Sequence, residues 1–283
     1  MLSNCSVKVK AAIVQHEIRE RDVEWTLQHI SALMDGQTGA DLYVLPEMFA
    51  TGFMAEGAEE HGQRILNWML EQARRRNAAI AGSVAAFPKS FPQGTDLPHS
   101  RSEQLLRNRL YFVRPDGSYE YYDKRHLFSY AGEQETYAAG ERRVVVEWRG
   151  VRFLLQVCYD LRFPVFSRNR DDYDAIIYVA NWPQKRREVW QTLLKARALE
   201  NQCFVIGVNI VGNDKSVRPV RQAQERLAQD KQGEYVGDSV IHDAYGHTIA
   251  QCTPGKAETA AAELDMNELQ RFREKFPVLR DRD

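Results

Sequence analysis

Residues 151–160 read Val-Arg-Phe-Leu-Leu-Gln-Val-Cys-Tyr-Asp, an almost continuous apolar run that ends at Cys158. A run of this kind predicts a strand covered on both faces, because such strands lack the alternation of apolar and polar residues found in a half-solvated sheet. The cysteine follows at the point where the strand would leave its sheet. Catalytic groups of open α/β sheets gather at such exits, so this stretch indicates both a fold class and a candidate functional position.

Similar runs recur from one end of the chain to the other and alternate with helical patterns, in which apolar residues recur at spacings of three and four. Two hairpins are also predicted from turns that contain Asp and Gly. Together these patterns indicate a mixed sheet in a layered α/β domain. The predicted strands are 7–15, 41–45, 78–85, 109–113, 144–148, 151–157, 175–179 and 204–209; the helices lie within 23–34, 65–73 and 189–199, and the hairpins within 111–122 and 238–251.

The chain of 283 residues contains no internal repeat, low-complexity tract or Pro/Ser-rich linker that would divide it. We therefore predict a single domain over residues 1–283, with its core at about 7–252 and a C-terminal extension at 253–283. Residues 212–236 are polar and charged and look detached from the core. This segment is either a solvated surface excursion or a lid over a nearby site.

The charge balance excludes several classes of protein. Lys and Arg number 38 against 39 Asp and Glu, which gives a formal charge of -1. This balance provides no net positive electrostatic field that would attract a nucleic-acid backbone or an anionic membrane surface. No run approaches the ~18 apolar residues of a membrane span. We therefore predict no nucleic-acid partner and no membrane association, which leaves a small-molecule enzyme or a protein-binding module.

The four cysteines, Cys5, Cys158, Cys203 and Cys252, are widely scattered and form no CxxC pair. Their spacing suggests neither a zinc knuckle nor a disulfide framework. Free thiols fit a reducing compartment, and the first residues lack the apolar segment of a signal peptide. We predict a soluble, cytoplasmic protein.

Two further strand exits carry reactive residue types. Glu47 follows strand 41–45 after a proline, and Lys124 lies in the charged cluster 121–128. Singly, each has an ordinary explanation as a solvated carboxylate or a surface lysine, and Cys158 as a buried small apolar residue. Together they form a chemical set, because a thiolate is a nucleophile, a carboxylate can remove and return its proton, and an ammonium can stabilise an oxyanion. These are the requirements for hydrolysing an amide through a thioester.

A cysteine paired with a histidine is the rival arrangement. His126 lies close to Lys124 in sequence and could also act as the base for Cys158. Spacing along the chain does not decide between Glu47 and His126, so both remain open from the residues alone.

Three segments resemble the signatures of the nitrilase, or carbon-nitrogen hydrolase, superfamily, whose catalytic set is Glu, Lys and Cys. They are Leu-Pro-Glu-Met-Phe at 45–49, Tyr-Asp-Lys-Arg-His-Leu-Phe at 122–128 and Val-Cys-Tyr-Asp-Leu-Arg-Phe-Pro at 157–164. Residues 132–137 are similar to the stretch whose first glutamate, here Glu133, is a second active-site carboxylate that hydrogen-bonds the catalytic lysine. The resemblance implies a four-layer α-β-β-α sandwich with mixed sheets. It also implies a homodimer formed through helices, with the extension at 253–283 as a candidate part of the interface.

Within the superfamily, Cys-Tyr-Asp-Leu-Arg-Phe-Pro and the later Ala-Asn-Trp-Pro at 180–183 look most like the omega-amidase branch. That branch implies an amidohydrolase that cleaves the terminal amide of small dicarboxylic acid monoamides, such as 2-oxoglutaramate and 2-oxosuccinamate, to the acid and ammonia. It calls for no metal and no organic cofactor. Alternatives within the superfamily are an N-carbamoyl amino acid hydrolase, an aliphatic amidase or a nitrile hydrolase, and a non-catalytic binding module is the alternative of a different class.

The resemblance assigns a role to each candidate. Glu47 would take the proton from Cys158, whose thiolate attacks the amide carbon. Lys124 and the backbone N–H of Tyr159 would hold the oxyanion, and Glu133 would orient Lys124 and keep it charged.

Four more residues are candidates for substrate binding. The substrate's free carboxylate needs a cation or several N–H donors, and Arg162 lies just past the nucleophile. Phe128, Tyr137 and Trp182 are the candidates for lining the pocket. A structural arginine and aromatic core packing are the competing explanations for these four.

Overall fold

A computed structural model of the chain describes residues 7–19, 21–87, 105–213 and 234–282. Strands and helices alternate over much of this range. The strands are β1 (Lys8–Gln15), β2 (Leu42–Val44), β3 (Ala79–Ala86), β4 (Arg107–Val113), β5 (Tyr119–Asp123), β6 (Val145–Trp148), β7 (Val151–Val157), β8 (Ala175–Ala180), β9 (Phe204–Asn209), β10 (Val211–Asn213), β11 (Glu234–Val236), β12 (Val240–His242), β13 (Thr248–Gln251) and β14 (Glu258–Asp265). The helices are α1 (Val23–Asp35), α2 (Ala58–Arg76), the single turn α3 (Pro164–Ser167), α4 (Arg187–Asn201) and α5 (Met266–Lys275).

Within the described residues the strands form two six-stranded sheets and one two-stranded ribbon, β10-β11. The first sheet has the order β14-β1-β2-β3-β4-β5 and the second the order β13-β12-β9-β8-β7-β6. Each has a parallel centre, β1-β2-β3 or β7-β8-β9, flanked by antiparallel strands. Both sheets are therefore mixed, as predicted.

The two sheets pack face to face around a shared apolar core. Ile13 and Val44 of the first sheet and Phe153, Val157 and Ile206 of the second all belong to it and are fully buried. Because both faces of the central strands are covered, these strands are apolar at almost every position.

Helices cover the two outer faces. The helix α1 begins after Asp22, whose carboxylate accepts the N–H of Trp25, and it buries Ile30 and Met34 against the first sheet together with residues of α2. On the second sheet, Trp190 and other residues of α4 fill the same role. The prediction of a four-layer α-β-β-α sandwich is confirmed.

Two segments need separate comment: one strand was not predicted from the sequence, and part of the polar segment lies outside the described residues. The strand β14 was not predicted, because its run of alanines has little β-propensity; it pairs with β1 along its whole length, with Val9 opposite Leu264. Of the polar segment 212–236, residues 214–233 lie outside the described residues, as does Cys5. The flanks of that segment form the antiparallel ribbon β10-β11.

The topology brings several chain segments to one edge of the sandwich. The strands β2 and β3 are parallel, and the antiparallel steps to β4 and then β5 reverse the direction twice, so β5 runs the same way as β2. The ends of β2 and β5 and the start of β4 therefore share an edge. Side chains that follow β2 and β5 can meet there, as expected for a site at strand exits.

Candidate active site

Glu47 lies three residues beyond β2 and is fully buried. Its Oε1 accepts hydrogen bonds from Lys124 Nζ at 2.9 Å and from Asn108 Nδ2 at 2.7 Å. Its Oε2 accepts the backbone N–H of Asn181 at 2.9 Å. A buried carboxylate is costly unless it is paired and hydrogen-bonded, and these three donors supply that compensation.

Lys124 lies directly beyond β5, with its side chain 1% exposed. In addition to Glu47, it donates to both carboxylate oxygens of Glu133, at 3.0 Å and 2.9 Å. Glu133 also accepts the backbone N–H of Phe128 at 2.6 Å. Burial opposes the charge of Lys124, but Glu133 and then Glu47 outweigh it, so the pKa of Lys124 is raised well above its usual range. The two carboxylates therefore favour the ammonium form of Lys124.

Cys158 follows β7 and begins a 3-10 turn, Cys158–Arg162, with a backbone φ of 46°. This is the left-handed region, which is unfavourable for a residue with a side chain and persists only where the surroundings hold it. Burial raises the pKa of the Cys158 thiol well above its usual range, and Glu47 adds to the increase while Lys124 opposes it. A thiol in this setting is protonated at rest, so nucleophilic attack requires a base. The Glu47 carboxylate is the candidate, because it lies close enough to raise the pKa of the thiol.

Asp160 connects the nucleophile turn, Cys158–Arg162, to the end of β5 in the first sheet. The carboxylate is fully buried, and its Oδ2 accepts the N–H of Val157 at 2.9 Å and the hydroxyl of Tyr122 at 2.7 Å. Its Oδ1 accepts the backbone N–H of His126 at 3.0 Å and contacts His126 Nδ1 at 2.8 Å. One carboxylate therefore joins the turn after β7 to the end of β5 and to the loop that follows Lys124.

The rival base, His126, has other partners. Besides its contacts with Asp160, its ring stacks on Phe163, with centroids 3.9 Å apart and planes 11° from parallel. Of the two candidate bases, Glu47 is the one that raises the pKa of the Cys158 thiol. This geometry favours Glu47 as the base.

A small cleft opens beside Cys158. Two guanidinium groups stand over aromatic rings in it: Arg162 Cζ lies 5.3 Å from the ring centroid of Trp182, and Arg186 Cζ lies 5.3 Å from that of Phe128. Three of the four predicted substrate-binding residues therefore share this cleft with Cys158. The lining residues are Phe128, Cys158, Tyr159, Arg162, Asn181, Trp182, Pro183 and Arg186.

Tyr137, the fourth predicted substrate-binding residue, is placed differently. It does not belong to the lining of this cleft; it packs in a separate buried cluster with Met48 and Leu106 and contacts Phe53 edge to face. Burial raises the pKa of its hydroxyl, and Glu133 and Glu47 add to the increase. A role for Tyr137 in substrate binding stays a prediction.

The other described cysteines lack this environment. Cys203 and Cys252 are buried, and burial raises the pKa of Cys252 to about 12. Among the described residues no group of three or more His, Cys, Asp and Glu side chains is arranged to hold a metal ion. Of the helices in the described part of the chain, none is long and apolar enough to cross a membrane.

Comparison with known proteins identifies the family. Residues 10–274 match the profile of the carbon-nitrogen hydrolase family. The chain belongs to this family. The predicted superfamily is therefore confirmed, and the protein is an enzyme that acts on carbon-nitrogen bonds.

Several relatives of this carbon-nitrogen hydrolase have been described. The chain is 44% identical over 277 residues to omega-amidase YafV of Yersinia enterocolitica, with 97% of each chain covered. It is 32% identical over 250 residues to the 2-oxoglutaramate amidase of Bacillus subtilis (strain 168), covering 86% of this chain and 85% of that one. Among solved structures, XC1258 from Xanthomonas campestris, a CN-hydrolase superfamily protein with an arsenic adduct in the active site, superposes with a TM-score of 0.82 at 36% identity and covers 98% of this chain and 97% of that one.

Two side chains and one backbone N–H at the carbon-nitrogen hydrolase site were not predicted from the sequence. Asn108 and Asp160 are fully buried polar side chains that contact the carboxylates or the nucleophile turn, and Asn181 contributes a backbone N–H to Glu47. Asp160 and Asn181 follow apolar strands, which is the signal that led to Cys158. Asn108 lies inside a strand, and the sequence has no feature that separates it from an ordinary strand residue.

Proposed function

We propose that this carbon-nitrogen hydrolase is an omega-amidase, which converts the terminal amide of small dicarboxylic acid monoamides, of the 2-oxoglutaramate or 2-oxosuccinamate type, to the acid and ammonia. The observation that carries the proposal is that Cys158 lines one cleft with Arg162, while the buried ion pair of Glu47 and Lys124 lies close enough to influence the pKa of its thiol. The similarity to omega-amidase YafV and to 2-oxoglutaramate amidase supports this substrate class over the other substrates of the family.

In the first half of the reaction, the Cys158 sulfur bonds to the amide carbon while the thiol proton passes to Glu47. Proton removal by a positioned carboxylate is needed because burial keeps the thiol neutral. The carbonyl oxygen becomes an oxyanion, which the Lys124 ammonium and the backbone N–H of Tyr159 stabilise. Glu47 then protonates the leaving nitrogen, the carbon-nitrogen bond breaks, and ammonia departs from a thioester at Cys158.

In the second half, a water molecule gives a proton to Glu47 and its oxygen bonds to the thioester carbon. The same oxyanion donors hold the second tetrahedral intermediate. The carbon-sulfur bond then breaks, the Cys158 sulfur recovers a proton from Glu47, and the dicarboxylic acid leaves. Atoms and protons balance over one cycle, and Glu133 keeps Lys124 in place and charged throughout.

Recognition of the substrate's distal carboxylate is assigned to Arg162. Its side chain lies in the cleft and is exposed, with the guanidinium over the face of Trp182. A guanidinium binds a carboxylate with two parallel hydrogen bonds, which selects a dicarboxylic monoamide over a neutral amide of similar size. Phe128 and Trp182 provide apolar walls for the methylene groups between the two ends.

One assay tests the function. Purified protein is given a panel of dicarboxylic monoamides, N-carbamoyl amino acids, neutral aliphatic amides and nitriles, and ammonia release is measured. We expect the dicarboxylic monoamides to give the highest kcat/KM, by at least about tenfold over the neutral amides. A preference for carbamoyl amino acids, neutral amides or nitriles would reassign the substrate class, and failure on the whole panel without covalent labelling of Cys158 by iodoacetamide would indicate a binding module.

The assembly and location belong to the same proposal. A homodimer formed through helices is supported by apolar side chains on the outer surface, with Val165 of α3 81% exposed and Leu199 of α4 48% exposed. Residues 253–283 are proposed to contribute to the interface of this single-domain protein. The free thiols of Cys203 and Cys252 fit a cytoplasmic location. Light scattering coupled to gel filtration tests the dimer: a monomer mass at micromolar concentration would contradict it.

A further inference from the structure

Asn108 lies on β4, at the edge where the ends of β2 and β5 meet, and is fully buried. Its Nδ2 donates to Glu47 Oε1 at 2.7 Å and to Glu133 Oε1 at 3.3 Å. Its backbone carbonyl accepts the N–H of Lys124 at 2.9 Å. One residue therefore contacts the proposed base, the second carboxylate and the chain that carries the ammonium.

The orientation of the Asn108 amide follows from its neighbours. A primary amide has two N–H bonds, and here one is directed at each carboxylate. The opposite orientation would turn the carbonyl oxygen of Asn108 toward Glu47 and Glu133, which repel it. As a result Asn108 Oδ1 is buried with no hydrogen-bond partner among the described residues. Leaving a buried acceptor unpaired costs stability, so a gain elsewhere must offset it.

The charges of the site suggest what is gained. Two buried carboxylates, Glu47 and Glu133, share one buried ammonium, Lys124, which leaves an excess of one negative charge. A second lysine in place of Asn108 would neutralise this charge and compete for Glu47, whereas an apolar residue would leave both carboxylates short of a donor. The amide of asparagine supplies a donor to each carboxylate and adds no charge.

We propose that Asn108 is a positioning residue for amide hydrolysis, because its two N–H bonds hold the Glu47 and Glu133 carboxylates in place around Lys124. This inference rests on the proposed roles of Glu47, Lys124 and Cys158. Asn108 acts through these groups and has no contact of its own with the cleft that holds the nucleophile.

Two variants of opposite character test the proposal. Asn108→Leu keeps the approximate volume and removes both donors; we expect kcat for a dicarboxylic monoamide to fall by about tenfold to a hundredfold, with KM changed less than about threefold. Asn108→Asp keeps the shape but can donate only while its carboxyl group is protonated. We therefore expect the ratio of kcat for N108D to kcat for N108L to rise as the pH is lowered from about 8 to about 5.

Because the other titratable groups of the site are present in both variants, the pH dependence of the ratio of the two kcat values reports on the residue at position 108. Those groups are Glu47, Lys124, Glu133, Tyr137 and Cys158. The matched control is Asn169→Leu, which removes another fully buried asparagine; its side chain donates to the carbonyls of Tyr173 and Asn201 and accepts the N–H of Asp171, all outside the site. The control should lower the unfolding midpoint and leave kcat within about threefold of the wild type.

The decisive outcomes are distinct. If N108L keeps kcat within about threefold of the wild type, or if the ratio is flat with pH, Asn108 is only a structural residue and the proposal is overturned. The proposed function is tested separately, by ammonia release from Cys158→Ala. Turnover in that variant would overturn the roles of Glu47, Lys124 and Cys158 themselves, whatever the Asn108 variants do.

Discussion

The two sheets contribute different chemistry to one site. The first sheet places charge at its edge: Glu47 follows β2, Lys124 follows β5, and Asn108 on β4 lies between them. The second sheet provides Cys158 after β7 and the backbone N–H of Asn181 after β8. The proposed base and the ammonium thus come from one layer, and the proposed nucleophile comes from the other.

This division explains why the thiol is not permanently ionised. Burial and the nearby Glu47 raise the pKa of Cys158, and Lys124 only partly opposes them, which favours the protonated thiol. The ion pairs of Lys124 with Glu47 and Glu133 involve no residue of the second sheet. The hydrogen bond from the Asn181 backbone to Glu47 and the ties made by Asp160 then fix the distance between the layers. Changes on each side of the division should therefore have different consequences.

The largest effect is expected from removing the nucleophile of the second sheet. Cys158→Ala should lower ammonia release by at least about 10⁴-fold while the unfolding midpoint stays close to that of the wild type. The control is Cys252→Ala, which removes a buried thiol outside the site and should keep kcat within about twofold. Both are measured by steady-state ammonia release and thermal unfolding; equal losses in the two variants would contradict the assignment.

Glu47→Gln removes the base of the first sheet and keeps its shape. The amide cannot take a proton from Cys158, so kcat should fall by about 10³-fold. The comparison variant is His126→Ala, which removes the rival base; its kcat should fall by less than about tenfold. Wild-type turnover in the glutamine variant together with an inactive His126→Ala would show that the thiol is activated from the other side of the site.

Glu133→Gln tests the support of the ammonium. Glu133 contributes most to raising the pKa of Lys124 against the effect of burial, so its loss should lower that pKa. We expect kcat to fall by about a hundredfold at neutral pH, and the remaining activity to be lost on raising the pH at a lower value than in the wild type. A pH–rate profile measures this, and an alkaline limb at the wild-type position would argue against a charge-holding role.

Asp160→Asn weakens the tie between the two sheets. The Asp160 carboxylate accepts hydrogen bonds from the Tyr122 hydroxyl and from the backbone N–H groups of Val157 and His126. In the variant an NH₂ donor takes the place of one of the two accepting oxygens, so the nucleophile turn loses part of its support. We expect unfolding to become easier by about 1–3 kcal/mol and kcat to fall by about tenfold. Chemical denaturation and steady-state kinetics check both. An unchanged stability and kcat would mean that the turn holds the left-handed conformation of Cys158 by itself.

The smallest effect is expected at the cleft wall. Arg162→Met should raise KM for a dicarboxylic monoamide by about tenfold and change kcat by less than about threefold, because binding of the distal carboxylate is lost and the reacting groups are untouched. Arg168→Met is the control: Arg168 is exposed and does not line the cleft. A similar KM in all three proteins would exclude Arg162 as the carboxylate-binding residue.

The sequence was informative where a residue follows an apolar strand. The exits at Glu47 and Cys158 could be found from the strand pattern, since a buried parallel strand has an almost continuous apolar run and the next polar residue marks its end. Lys124 follows the antiparallel edge strand β5, which is not an apolar run, and was found in the charged cluster 121–128. The strand pattern also predicted the mixed α/β fold, and the order of the motifs predicted the family. It was silent about β14, whose alanines show no strand signal, and about Asn108, which lies within a strand.

The sequence by itself determined the residue types, their order and the strand exits at which they lie. Only the tertiary structure decided that Glu47 raises the pKa of the Cys158 thiol while His126 is held by Asp160, that Asn108 joins two carboxylates, and that Tyr137 lies apart from the cleft. The physical reason is that these contacts join segments far apart along the chain. Hydrogen bonds and charge interactions of this kind depend on distances of a few ångströms, and those distances are set by how two sheets pack, which periodicity along one strand does not encode.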